Sequence, residues 1–365
     1  MVKESSIDKI YYRIFVILLT GLSFINIYSN SHNSYYELPT IVLSAIFLFF
    51  GLTRFVIKGI SLDKFIFLIL ILLILIVTKF NSFFIAPLII AISFVDFSPL
   101  EIIKIYYLSN LYCLAITVFL ALIGISPMRN PVDGVLSLGF SNENGLGLFM
   151  LLIASFYLLE IMSIKKCKRF NYKIAFIIIF ILVNVFITDD RTVVLVFFIF
   201  FLSSLLINTK FKRLLKVMGY IACLLPAILI YSSWVFMKNY NNNNFYYALN
   251  NLLSNRIIMW NWFYHNIPIM LYPSNLKISQ FNYWGTVDGS YAFMLFHSGV
   301  MVTIIVCLLL ILCNILLVKN GYYYVFCLIF SLELGAFSED ILQSPFIVYV
   351  IIFALMSLYP KWLKK

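Results

Sequence analysis

Three groups of polar residues interrupt a chain otherwise built largely of Ile, Leu, Phe and Tyr, and these are where chemistry could be done. The first is Gly139-Phe140-Ser141-Asn142-Glu143-Asn144-Gly145, preceded by Arg129. Second comes Ile187-Thr188-Asp189-Asp190-Arg191-Thr192. The third is spread over residues 237–291: an Asn tract (Asn239, Asn241 to Asn244), then Asn255-Arg256 through Trp260 to His265, then Asp288-Gly289-Ser290-Tyr291. Ionisable groups in or near a bilayer are costly and are kept mainly where they face a cavity or a partner. Arg191 lies in a very short connection, which holds it close to a helix start. A guanidinium there offers a planar fork of donors suited to a diphosphate. The ordinary alternative is a snorkelling Arg paired with Asp189 or Asp190. Ser141 and Asn142 read as a turn and a helix cap. That reading leaves Glu143 and Asn144, at the mouth of a membrane helix beside Arg129, without an account. Glu333, Glu339 and Asp340 form a further acidic set, able to hold a divalent ion or to make a polar patch. With three His and no His/Cys/carboxylate cluster at ligand spacing, no metal site is expected.

The elements that must position these residues are membrane helices. Of the 365 residues 63% are hydrophobic and only 11% charged, and the mean hydropathy is +1.01. No soluble domain of this length tolerates such a composition. A net charge of +11 would suggest nucleic acid in a soluble protein. Here Lys and Arg gather in short loops between apolar stretches, as the positive-inside rule expects, so no nucleic-acid partner is expected. Five of the six cysteines (Cys113, Cys223, Cys307, Cys313, Cys327) fall inside apolar stretches and Cys167 sits in a basic loop, which excludes a disulfide framework.

A span takes about twenty apolar residues, and that template marks twelve cores: 11–28, 38–57, 65–79, 82–96, 102–125, 142–163, 173–188, 192–208, 217–237, 289–317, 321–338 and 342–359. The first reads as a retained span because no small-residue cleavage site follows it. The fourth is short and carries Pro87, so a re-entrant segment is the alternative there. The expected fold is all-α: one polytopic helix bundle over residues 1–365, with a single long extracytoplasmic loop at 238–288. Within that loop, residues 252–267 have helical spacing and put Arg256, Trp260 and Phe263 or Tyr264 on one side, as in a short interfacial helix.

Charge sets the orientation. With the N-terminus inside, twenty of the 26 Lys and Arg residues fall in inward segments. Lys79, Arg129, Arg191, Lys238, Arg256 and Lys277 fall outside. Both termini are then cytoplasmic and the long loop faces outward.

The order of these groups resembles the Wzy-type polysaccharide polymerases and their relatives the O-antigen ligases. Gly139 to Asn144 looks like the family's glycine-aromatic-Ser-Asn-x-Asn segment, and Thr188 to Thr192 resembles its Ser-Arg-Thr turn. Asn255-Arg256 through Trp260 is similar to its Gly-Arg-x-x-x-Trp, and Asp288-Gly289-Ser290-Tyr291 with Gly299 to its Asp-Asn-Ser-Tyr…Gly. The likeness covers roughly residues 125–345. Asp190 stands where the family often has Ser, Asn255 where Gly is common, and the family's Gly-x-Gly after the loop helix is missing. Ligase relatives tend to carry His-Asn where this chain has Asp288-Gly289, which tilts the reading toward a polymerase.

The resemblance implies a GT-C-like glycosyltransferase of the bacterial cytoplasmic membrane, acting at its outer face in O-antigen, capsule or exopolysaccharide biosynthesis. Its donor would be a growing glycan on undecaprenyl diphosphate and its acceptor a lipid-linked repeat unit. A flippase and a chain-length regulator of the same pathway would be its partners, and no cofactor is expected. On this reading Arg191 and Arg256 meet the developing negative charge and Asp288 accepts the hydroxyl proton. Arg129, Asn142, Glu143, Asn144, Trp260, His265 and Tyr291 then contact substrate. Two alternatives stay open: an O-antigen ligase with a lipid A core acceptor, and a lipid-linked oligosaccharide flippase. Flippases bind near the midplane, whereas the unusual charges here gather at outer span ends.

The topology is checked with single cysteines in a background lacking the six native ones. Asn242→Cys is expected to react with a membrane-impermeant thiol reagent in cells with any outer barrier opened, and Lys212→Cys only after lysis. The reverse labelling pattern would overturn the orientation.

Overall fold

The computed structural model describes residues 6–31, 37–59, 92–94, 99–130, 134–163, 170–188, 190–207, 212–240, 244–272 and 287–339, with a few isolated positions between 65 and 97. The expected spans at 65–79, 82–96 and 342–359 lie wholly or largely outside the described residues, as do Asn241 to Asn243, Asp189 and Asp340. The described residues are helical and carry no strand beyond one isolated backbone bridge, Arg129 to Leu136. Among the described residues, five helices are long and apolar enough to cross a membrane.

Two compact units are present, one from residues 1–60 and 92–204, the other from 61–91 and 205–360. The first holds α1 (Ser6–Ser31), α2 (Glu37–Ile57), α3 (Pro99–Leu122), α4 (Glu143–Ser163), α5 (Phe170–Thr188) and α6 (Arg191–Leu206). Here α1 packs on α2 and α3, α3 on α4, and α4 on α5. The α4 helix is apolar on all sides and the most buried of the long helices, as expected for a helix with neighbours all round. Two threonine hydroxyls inside the unit turn back on their own helices: Thr20 donates to the Val16 carbonyl at 2.7 Å and Thr117 to that of Cys113 at 2.9 Å. That keeps polar groups satisfied where no water reaches. An aromatic cluster of Phe15, Phe47, Phe94 and Phe97 closes one end, with Phe15 and Phe47 stacked at 4.9 Å. Arg54 lies over Phe97 at 3.6 Å and pairs with Asp8 at 3.4 Å, so a buried cation has both a ring face and a carboxylate.

The second unit holds α7 (Lys212–Ala222), α8 (Leu225–Asn239), α9 (Asn244–Leu252), α10 (Arg256–Asn266), α11 (Ser290–Asn320) and α12 (Tyr323–Gly335). The single core expected at 217–237 is two helices. Pro226 has no N–H to donate back to Ala222 but is suited to the first turn of a new helix, so the chain breaks at Cys223–Leu224 and restarts as α8. The polar stretch expected as a loop with one short helix contains two, α9 and α10. The α10 helix does not lie by itself: its apolar side, Ile257, Trp260 and Phe263, packs into a core with Met237 of α8 and Ala292, Leu295 and Phe296 of α11.

The α11 helix carries a π-helical turn at Met294–Ser298, which ends at Gly299. Gly299 has φ +81, and a Cβ there would meet the Tyr272 carbonyl carbon at 2.8 Å and the Met270 carbonyl oxygen at 2.9 Å. That close approach lets Val300 and Met301 donate their N–H groups to Met270 and Leu271 at 3.0 Å each, pinning the segment after α10 onto α11. Replacing Gly299 by Ala is expected to cost at least ~2 kcal/mol, from left-handed backbone strain together with overpacking. A thermal unfolding midpoint in detergent unchanged from that of the parent would show that the pin is dispensable.

Candidate functional site

In the second unit, three sequence stretches, supplying Leu253, Asp288 and Glu339, converge on Arg256. Its helix begins where Ser254 and Asn255 turn left-handed, at φ +54 and +66. Asn tolerates that region better than other non-glycine residues because its short polar side chain bonds locally; here its Oδ1 accepts from Asn250 Nδ2 at 2.9 Å. Asn250 Oδ1 in turn accepts the Ile258 N–H at 2.9 Å, capping α10 from the preceding helix. The turn fixes Arg256 as the first helical residue, pointing into the protein: its side chain is 10% exposed. Its guanidinium donates to Glu339 Oε1 and, at 3.4 Å, to the Leu253 carbonyl. Asp288 Oδ2 stands 3.9 Å from its Nε. Of the two carboxylates Glu339 is 14% exposed and Asp288 40% exposed. One face of the cluster is therefore closed and the other open at Asp288.

Trp260, one turn on from Arg256, is fully buried and donates its indole N–H to the Asp288 carbonyl. Phe337 packs edge-on against it at 5.5 Å. Gly289 has φ +93, and a Cβ there would meet Trp260 at 2.7 Å and the Phe337 carbonyl at 2.9 Å. Only glycine fits that gap, which is why Asp288 can lie against the indole. Ser290 closes the opposite side by donating its hydroxyl and its N–H to the Glu339 carbonyl at 2.8 and 3.2 Å. Tyr291 is fully buried, its hydroxyl donating to the Glu333 carbonyl at 3.1 Å. His265 is exposed at the far end of α10, its ring edge-on to Tyr264.

The acidic set read at 333–340 divides. Glu333 is wholly buried and accepts from Asn314 Nδ2 at 2.9 and 3.1 Å, while Glu339 serves Arg256. Among the described residues no group of three His, Cys, Asp or Glu stands close enough to hold a metal ion.

The first unit carries the other two groups. Asn142 Oδ1 accepts the Gly145 N–H at 2.7 Å and so caps α4. Glu143, in the first turn, accepts from Asn130 at 3.2 Å, which ties the α3–α4 loop to the helix start. Asn144 is half-buried in the same turn. Arg129 is exposed and donates to the Gly134 carbonyl at 2.9 Å within its own loop. Asp190 is buried and accepts the N–H groups of Thr192 and Val193 at 3.0 and 3.3 Å, so it is the N-cap of α6. Arg191, the first residue of α6, is exposed.

Sequence reasoning named Glu339 without its partner and missed Asn250 and Phe337. Glu339 is 83 positions from Arg256, and nothing local signals such a pair. Asn250 had a signal, an Asn placed before a helix start.

Together with the composition, this defines a helical membrane protein. Comparison with known proteins finds no family model that matches the chain, and neither a curated protein nor a solved structure that is similar to it.

Stability separates the two carboxylates. Removing one partner of a buried ion pair costs about 3–5 kcal/mol, since the other charge is left uncompensated. Pairs open to solvent are worth only ~0–1 kcal/mol. Glu339→Ala is therefore expected to lower the unfolding midpoint sharply and Asp288→Asn hardly at all. Equal losses would show that the closed and open faces of the cluster are not distinct.

Proposed function

We propose that this protein is a polysaccharide polymerase, a glycosyltransferase joining lipid-linked repeat units at the outer face of a bacterial cytoplasmic membrane. The observation that carries the reading is the cluster itself. A half-exposed carboxylate, Asp288, lies beside a guanidinium that Glu339 fixes from its buried side. Asp288 and Arg256 stand at motif positions that resemble the polymerase family, and Glu339 lies outside those motifs. Asn255 and Asp190, which depart from that family's pattern, each do the physical work of the residue they replace.

In the reaction, the acceptor hydroxyl oxygen bonds to the donor's anomeric carbon. The bond from that carbon to the undecaprenyl diphosphate oxygen breaks, and the lipid diphosphate leaves with the electron pair. Asp288 takes the hydroxyl proton, a role that typically contributes about 10²–10⁴-fold. Arg256, with its Nε 3.9 Å from Asp288 Oδ2, adds positive potential where charge develops. Its own position is held by Glu339, Leu253 and the α10 helix start. The sequence resemblance alone, without any placement of one unit against the other, implies Arg191 for the diphosphate, since a guanidinium fork at a helix start favours an anion. It likewise implies Arg129, Asn142, Glu143 and Asn144 of the first unit, and His265 of the second, as sugar contacts. Trp260 and Tyr291, both buried, act on substrate through the backbone of 288–291 that they hold.

Asp288→Asn keeps size but accepts no proton. In cells it is expected to leave the protein in the membrane at normal level while surface glycan collapses to single repeat units; Asp288→Glu retains a little polymer. Arg191→Lys keeps one charge, loses the fork, and is expected to shorten chains strongly. Full-length polymer from both Asp288→Asn and Arg191→Lys would remove the proposed roles.

A further inference from the structure

At the opposite end of α10 from Arg256 lies a second feature, a lateral groove of about 690 Å³ between α8 and α11. Residues 267–269 line one end of it and are followed by Met270 and Leu271, whose carbonyls accept the N–H groups of Val300 and Met301. Further along, outside the groove, Gly219 of α7 sits against Val318 of α11, where a Cβ would be 3.0 Å from the valine. The small Ala227 borders the groove on the α8 side. The walls are Ile230 and Trp234 on one side and Ile304 and Leu308 on the other. Ile304 and Leu308 are 48% and 60% exposed, so the groove opens sideways, where hydrocarbon would lie in a membrane.

Among the described residues, a cation, Lys238, continues the α8 wall of the groove beyond Trp234. Ala227, Ile230, Trp234 and Lys238 recur at helical spacing along a single side of α8, and Lys238 Nζ lies 5.3 Å from the Trp234 ring centre. The charge bias places that end of α8 at the outer membrane surface. An apolar trench ending in an interfacial Trp and an ammonium is complementary to an amphiphile with an anionic head.

We propose that this groove is a binding site for an anionic glycerophospholipid, its acyl chain along α8 and α11 and its phosphate at Lys238. An ammonium is a compact point charge, matched to the single charge of a phosphodiester; a diphosphate calls for paired or forked donors. The lipid would brace the segment after α10 and so hold the far end of the helix that begins with Arg256. The proposal stands whether or not the polymerase reading does, because it is tested by binding alone.

The test is native mass spectrometry of the full chain, stripped of lipid in detergent and titrated with phosphatidylglycerol or with phosphatidylcholine of the same chains. One phosphatidylglycerol is expected to be retained per chain, about five-fold more tightly than phosphatidylcholine, the contribution of one interfacial Lys. Lys238→Gln, a surface change, is expected to abolish that preference; Ala227→Phe, which fills the trench, is expected to abolish retention of either lipid. Equal retention of the two lipids by the parent would overturn the proposal, as would a preference that survives Lys238→Gln. Displacement of phosphatidylglycerol by equimolar undecaprenyl phosphate would also overturn it, assigning the groove to a prenyl chain instead.

Discussion

A charged side chain turned inward in a protein of this composition has to be compensated on the spot, and the second unit is arranged around that constraint. Arg256 is mostly buried, and its guanidinium is met by Glu339 and the Leu253 carbonyl on one side and Asp288 on the other. Desolvating such an ion is expensive, and only good geometry with further hydrogen bonds offsets it. The pair is therefore a poor stability device and a good positioning device. It ties the polar stretch after α8 to the end of α12, and each surrounding contact restrains one member. Asn250 sets the helix start, Ser290 holds the Glu339 backbone, and Trp260 holds the Asp288 backbone.

The first unit solves a milder form of the same problem at helix starts. Asp190 and Asn142 each satisfy N–H groups that have no partner within the helix, so that α6 and α4 begin where apolar sequence begins. Arg191 is then presented by a rigid helix end instead of a mobile loop. In both units an arginine, Arg191 or Arg256, is adjacent to the residue that makes the turn. That adjacency is why motifs of four to six residues can be read at all.

Helix positions were legible because twenty-residue apolar runs leave few other solutions: α1 to α6 and α11 fall on the expected cores within a few residues. The break before α8 was visible in Pro226 but does not follow from hydropathy, which stays high across it. Less legible was the environment of α10. The spacing put Arg256, Trp260 and Phe263 on one side, yet a stripe against lipid and a stripe against protein have the same composition, because lipid tails are as apolar as Leu. The structure buries that stripe against α8 and α11. Nor did local pattern reveal that Glu333 and Glu339, six positions apart, would face Asn314 and Arg256 respectively. Such pairings are set by which helix ends meet, a property of packing and not of spacing.

The proposed activity of the Asp288–Arg256–Glu339 cluster is the transfer of sugars between lipid carriers. The direct measurement uses the purified chain with a synthetic undecaprenyl-diphosphate-linked repeat unit as the sole lipid-linked sugar, following glycan length and free undecaprenyl diphosphate together. A ladder that rises by one repeat unit per rung, with one lipid diphosphate released for each new linkage, is the predicted result. Lipid-linked units left intact by folded protein, with no lipid diphosphate released, would contradict it.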